Sequence, residues 1–151
     1  MTDSVYMGEF EILPHTADVG FRARAATLPD LFETATWAMF SLEYDPTTVP
    51  LEEPRAVSAG GDDLEAALYG WLSELLWLHD AERFVPGSVV VERLEGPPED
   101  GFGIEVSGSA QGALLGDWFE QNGPQLKAVT LHGLAVTPVD GGYEATVYLD
   151  V

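Results

Sequence analysis

Tyr143-Glu144-Ala145-Thr146-Val147-Tyr148-Leu149-Asp150-Val151 closes the 151-residue sequence in unbroken alternation. Tyr143, Ala145, Val147, Leu149 and Val151 take one face, and Glu144, Thr146, Tyr148 and Asp150 the other. That two-residue period belongs to a half-buried strand. Chain ends usually fray, so core patterning that reaches Val151 implies an end tied into a sheet. Asp140-Gly141-Gly142 supplies a turn before it, and Lys127 to Val136 reads as the other arm of a hairpin.

Working outward, Glu9-Phe10-Glu11-Ile12 alternates polar and apolar, and Pro14 ends that strand because it cannot donate to a ladder. Val19, Phe21, Ala23 and Ala25 then share a face opposite Arg22 and Arg24, which gives a second strand. Between the two lies His15-Thr16-Ala17-Asp18, either a corner built on side-chain to backbone bonds or a small ligand site.

Two helices follow. Thr27 caps the first, with Pro29 in its first turn and Leu28, Leu31, Phe32, Ala35 and Met39 in one stripe. Asp62 with Glu65 forms a capping signature for the second, whose stripe is Leu64, Leu68, Trp71, Leu72 and Leu75. Leu76, Trp77 and Leu78 widen that stripe, so burial on more than one side is expected. His79 falls in the last turn, where a cation suits the helix dipole.

Arg55 to Ser58 reads as a short strand between the helices. Val89 to Val91 and Phe102 to Val106 read as a hairpin across the Gly96 to Gly101 turn. Gly112 to Gln125, with Trp118 and Phe119, reads as a connection that is either functional or tethered by its aromatics. The expected fold is α+β: one two-layer domain over residues 1–151, with two helices on a mainly antiparallel sheet of about seven strands.

Hydrophobic residues make up 46% of the chain, enough for a core without staples, and there is no cysteine to form a disulfide or a thiolate metal site. No signal-like segment opens the sequence and no apolar run is long enough to span a bilayer, so a cytoplasmic protein without membrane association is expected. The net charge of −20 sets 26 acidic residues against six basic ones. Direct binding to a nucleic-acid backbone is therefore not expected. Lys127 is the only lysine.

If the end of the chain is fixed, Asp150 brings one carboxylate and Val151 the α-carboxylate, with Asp18 as a third. Clustered carboxylates repel unless a cation neutralises them, and oxygen donors suit Ca²⁺ or Mg²⁺ over zinc. His15, His132 and Lys127 are the remaining candidates for a supporting or partner-contacting role.

These residues carry a likeness. Phe10-Glu11-Ile12-Leu13-Pro14-His15-Thr16-Ala17-Asp18-Val19-Gly20 resembles the opening signature of the archease family. Lys127-Ala128-Val129-Thr130-Leu131-His132-Gly133 is similar to its second signature and Tyr148-Leu149-Asp150-Val151 to its last, in matching order and spacing. Leu131 departs from the tyrosine often found before the histidine, and Gly112 to Gln125 lacks the Gly-Glu and histidine features often seen there. The resemblance implies a small α+β protein that assists an RtcB-type RNA ligase in tRNA splicing and RNA repair. It would promote guanylylation and multiple turnover without itself catalysing ligation. It also implies a divalent metal, commonly Ca²⁺ with Mg²⁺ or Mn²⁺ as alternatives, held at Asp18, Asp150 and Val151, with His15 in support.

Two other classes compete. A small hydrolase would use His15 as base and Asp18 as its orienter. A general chaperone would expose apolar surface. The acid excess itself fits a surface hydrated by carboxylates, whose mutual repulsion salt screens. The melting temperature is accordingly expected to rise from low salt to molar potassium chloride; an unchanged value in thermal denaturation refutes this reading.

Overall fold

The computed structural model describes residues 8–13, 18–96 and 103–151. His15 and most of the expected 96–101 turn lie outside them. The chain runs β1 (Glu9–Leu13), β2 (Val19–Ala25), α1 (Leu28–Ser41), a 3₁₀ turn (Pro46–Thr48), β3 (Glu53–Gly61) and α2 (Leu64–Ala81). It continues through β4 (Phe84–Glu95), β5 (Ile104–Leu114), β6 (Ala128–Val129), β7 (Ala135–Val139) and β8 (Gly142–Asp150). The α+β class holds. The eight strands of the described residues form two antiparallel sheets, where one of about seven was expected.

In the larger sheet β1 pairs β2 and β2 pairs β8, while β6 and β7 both pair the other edge of β8. The smaller sheet has the order β3-β5-β4. Both helices touch strands of both sheets: α1 packs on β2 and β4, and α2 on β3, β4 and β6. The fully buried Phe21, Ala23, Ala145, Val147 and Leu149 of the larger sheet join Leu31, Phe32, Leu68, Trp71 and Leu75 in one core. Burial of α2 on several sides, expected from its wide stripe, is what lets it serve both sheets. Trp71 Nε1 donates to Thr36 Oγ1 at 2.9 Å, which satisfies the buried indole N–H and joins the helices.

Three sequence expectations are corrected. Lys127 to Val136 is not one strand but two short ones, because residues 130–134 leave the ladder. Five residues there oppose only Val147 and Tyr148, since Val129 pairs Leu149 and Ala135 pairs Thr146. The strand expected at Arg55 to Ser58 extends over Glu53–Gly61, with Pro54 and Gly60-Gly61 tolerated because β3 is an edge. The cap of α2 is Asp63, whose side chain accepts from Ala66 N at 2.8 Å, and not Asp62. The Thr27 cap of α1 is found as expected, accepting from Asp30 N at 3.2 Å.

Counted from Asp63, Glu65 is two residues into the helix, not three, so it closes no capping box; its Oε2 accepts instead from Val136 N on β7 at 3.0 Å. Two further carboxylates act in the same way. Glu33 of α1 accepts from Val91 N on β4 at 2.8 Å, and Glu43, just past α1, accepts from Leu126 N at 3.3 Å. Each takes up a main-chain N–H outside its own helix. Bonds of this kind to charged groups contribute about 1.5–3 kcal/mol, and leaving the donor unpaired costs about as much.

Burial pushes the Glu33 carboxyl above its ordinary value, against the opposing effect of the Val91 N–H. A carboxyl raised in the folded state binds protons more tightly there than in the unfolded chain. Its contribution is therefore most favourable on the acid side and is lost as pH rises through the raised value. Glu33→Gln keeps an acceptor for Val91 and removes the charge, so its stability at neutral pH is expected to match or exceed the wild type. Glu33→Leu orphans the amide and is expected to lose about 1–3 kcal/mol in denaturant unfolding. A larger loss in Glu33→Gln than in Glu33→Leu contradicts this account.

Candidate metal centre at the end of the central strand

The antiparallel register of β2 with β8 pairs Phe21 with Val147 and Val19 with Leu149. Asp18 directly precedes the Val19 end of that ladder and Asp150 directly follows its Leu149 end, so the same register continued by one step would set the two opposite. On the other edge Ala128 pairs Asp150, and Lys127 N donates to Asp150 O at 2.9 Å. Asp150 is therefore held between the two strand ends that carry the first and second sequence signatures. The two-residue period assigns Asp18 and Asp150 to the face away from the helices, since Val19 and Leu149 turn inward. Asp150 is exposed, Asp18 half-buried and Val151 38% exposed, so all three are reachable from solvent.

Tyr148 forms the floor beside this end. A Cβ at Gly20 would lie 2.5 Å from the Tyr148 ring, and one at Gly133 would lie 3.1 Å from the ring's other edge. Gly133 also has φ +72°, a conformation that disfavours side chains. The two glycines of the first and second signatures thus hold one aromatic ring. Thr130 closes the arrangement, its amide donating to Tyr148 O at 3.0 Å and its hydroxyl to the same oxygen at 3.1 Å. His132 stands exposed at the tip of this 130–134 excursion.

The rest of the outer face is charged and paired. Arg22 meets Glu11 at 2.8 Å and Glu144 at 3.5 Å, and Arg24 meets Glu144 at 2.6 Å. The hydrogen bond and charge of Glu144 hold the Arg24 guanidinium above its ordinary value. Among the described residues no salt bridge joins Asp150 or Lys127 to a neighbour.

The expected site residues therefore separate. The fold brings Asp18, Asp150 and Val151 to one end of β8. It sends Lys127 elsewhere: its amide serves Asp150, but the residue lines a cleft of about 190 Å³ with Tyr69, Ser73, Trp77 and Asp80 of α2. A cavity of about 530 Å³ lies at the other end of the β2–β8 ladder, against Gly8, Glu9, Arg24, Asp140 and Tyr143. That is one strand length, roughly 20 Å, from the three oxygen donors. Among the described residues no three His, Asp or Glu side chains form a metal cluster. The candidate set differs in kind, being two side chains and a main-chain carboxylate. Its all-oxygen chemistry and access to water fit a hard cation that keeps part of its hydration shell.

Sequence reasoning missed Tyr148 as the floor, which the two signature glycines alone signal, and Glu43, for which no local pattern gives a sign. His79 is also placed differently. Its ring does not simply face the helix end but engages Phe84 O and Glu43 Oε2, each at 3.1 Å.

The family model of the Archease protein family (MTH1598/TM1083) matches residues 10–151. The chain belongs to this family. A protein archease from Archaeoglobus fulgidus is 35% identical, with 95% of this chain and 99% of that protein covered. One from Methanothermobacter thermautotrophicus is also 35% identical, over 96% of this chain and all of the relative. The solution structure of Methanobacterium thermoautotrophicum protein 1598 superposes with a TM-score of 0.77 at 32% identity, over 94% of this chain and 98% of that one. An archease from Thermotoga maritima, described as a possible chaperone, shares the fold with a TM-score of 0.60 at 17% identity. As in these archeases, the architecture is two helices with antiparallel sheets.

Gly20→Ala should drive a methyl into the Tyr148 ring and cost about 1–3 kcal/mol, as overpacking generally does. Gly20→Ala combined with Tyr148→Ala should recover part of that loss in a double-mutant cycle. Additive losses contradict a direct clash.

Proposed function

We propose that this archease is a cation-binding accessory protein that activates an RtcB-type RNA ligase, promoting its guanylylation and multiple turnover, rather than an enzyme in its own right. The observation that supports this reading is the β2–β8 register, whose last pair, Val19 with Leu149, adjoins Asp18 on one strand and Asp150 with Val151 on the other. Asp18, Asp150 and the Val151 carboxylate would hold the ion, with Ca²⁺ favoured and Mg²⁺ or Mn²⁺ able to occupy the same donors. Bound there, such an ion would supply positive charge able to offset phosphate charge in nucleotidyl transfer. The protein's own part is to hold the donors. The Lys127 amide fixes Asp150 through its carbonyl, and Tyr148 with its two glycines stiffens the strand end. His132 on the exposed excursion is where a partner's surface would meet that end, while Lys127 would meet a partner only at its separate cleft against α2.

The net charge of −20 supports action on the ligase over recruitment of RNA, because the acidic surface repels polyphosphate. No helix of the described residues is long and apolar enough to cross a membrane. A cytoplasmic site of action is part of the proposal.

A second reading rests on a specific observation. Ile12, Leu51, Trp77, Val90 and Leu131 are each more than half exposed, so chaperone-like contact with apolar segments of clients is the alternative.

Calcium is expected to raise the melting temperature of the wild type and to do so far less for Asp18→Asn or for a Val151 deletion. Both variants should lose most of the stimulation of ligase guanylylation. Full stimulation by both sinks the site; suppression of unrelated clients' aggregation without any ligase effect favours the chaperone reading.

A further inference from the structure

We infer that Asn122-Gly123 is a self-modifying site: when the pair leaves the Glu43 carbonyl, the Gly123 amide attacks the Asn122 carboxamide and converts Asn122 to isoaspartate or aspartate. The chemistry is independent of cation binding and needs only one loop contact and one residue pair.

Asn122 is the only asparagine in the chain, and it stands directly before a glycine. Neither usual structural use of asparagine applies to it. Among the described residues its exposed carboxamide bonds to no other group, and the one non-glycine with positive φ is Arg83. Gly123, by contrast, is fixed by packing, since a Cβ there would collide with Leu42 O. The fold therefore demands glycine where it leaves the preceding asparagine most open to attack, because no Cβ shields the nitrogen.

The reaction consumes only water. Hydroxide takes the Gly123 N–H proton, and the nitrogen attacks Asn122 Cγ. The new C–N bond closes a five-membered imide, the Cγ–Nδ2 bond breaks, and ammonia leaves with a proton returned from water. A water molecule then opens the ring. Cleavage at Cγ restores the ordinary chain as aspartate, and cleavage at the main-chain carbonyl routes the chain through Cβ as isoaspartate.

The folded loop withholds the nucleophile. Gly123 N donates to Glu43 O at 3.0 Å, and Asn122 N donates to the same oxygen at 2.7 Å. Gln121 Nε2 holds the far side of the glycine, donating to Gly123 O at 2.9 Å. A nitrogen whose hydrogen points at a carbonyl is not free to turn to the neighbouring Cγ. Phe119, with its ring 5.4 Å from that of Tyr44, and Leu126 N, 3.3 Å from Glu43 Oε1, seat the rest of the loop. Modification thus waits on local opening. In the isoaspartate form an extra carbon separates the two amides and a new carboxylate flanks them, so they no longer converge on one oxygen. Leu126 N on Glu43 Oε1 and Lys127 N on Asp150 O follow within four residues, and their hold weakens with it.

Peptide mapping of the full chain by mass spectrometry, after incubation at mildly alkaline pH and with fragmentation that separates isoaspartate from aspartate, tests this. Conversion at Asn122 should be at least about tenfold slower in the folded protein than in the same chain unfolded in guanidinium chloride, the scale of a modest local opening energy. The slowing should match the hydrogen-exchange protection of the Gly123 amide within about threefold, because one opening frees both. Phe119→Ala should speed conversion, and Asn122→Gln should all but stop it. In the aged wild type the amides of Leu126 and Lys127 should lose protection while those of Ala145 and Val147 keep it; aged Asn122→Gln should keep all four. Conversion as fast in the folded as in the unfolded chain, slowing without protection of the Gly123 amide, a Phe119→Ala rate equal to the wild type's, or Leu126 and Lys127 protection unaltered by conversion overturns the inference. For a Phe119→Ala protein that fails to fold, the wild-type rates and exchange still decide.

Discussion

Everything in the larger sheet depends on β8 being paired along both edges. β2 satisfies one edge from Val19 to Ala25, while β6 and β7 divide the other between them. A strand so placed needs apolar residues on one face and main-chain partners on both sides. Its even-numbered positions carry the outward residues, among them Glu144, which pairs with Arg22 and Arg24. The core contacts of Ala145, Val147 and Leu149 and the outer display of Tyr148 and Asp150 are two faces of one constraint. The end of β8 is stiff because its surroundings are, and a stiff backbone is what a set of oxygen donors needs in order to favour one ion size over another.

Acidic residues in this protein do two different jobs. Most keep the surface charged. Glu33, Glu43 and Glu65 instead reach from the helices, or from just past α1, to main-chain N–H groups on other segments. β4 and β7 each pair on one side only, so their outward amides require an acceptor. A helix-borne carboxylate provides it and ties the layers together without adding bulk to the core. Such contacts also guard the sheet margins, since an occupied donor is no longer a template for a foreign strand.

Much of this was legible in the residues, and the failures have physical causes. The alternation of Tyr143 to Val151 and the Thr27 cap could be read directly, because period and capping are local. The split of Lys127 to Val136 could not, since Val129, Leu131 and Ala135 keep an even count while the backbone departs at Thr130. Leu131, apolar in the pattern, is 66% exposed. That the strand after Asp18 pairs with the strand that ends at Asp150 is a register fact between distant segments, which no local pattern reveals. Glu43 gave no sign at all. Its meaning lies in partners at His79 and Leu126, far away along the chain.

The position of β8 bears on how the protein comes to be folded. Its partner β2 is made early and must wait for more than a hundred further residues before its second edge is covered. The β1–β2 hairpin is marginal alone and bears an apolar face, so the growing chain carries an unsatisfied strand margin for most of its synthesis. Pairings this distant also close slowly, because loop entropy is lost before contacts repay it. Any interruption that leaves residues 142–150 unmade yields a chain with two good helices, a complete small sheet and an adhesive edge. Exposed strand margins of this kind are what make partly folded chains prone to aggregate.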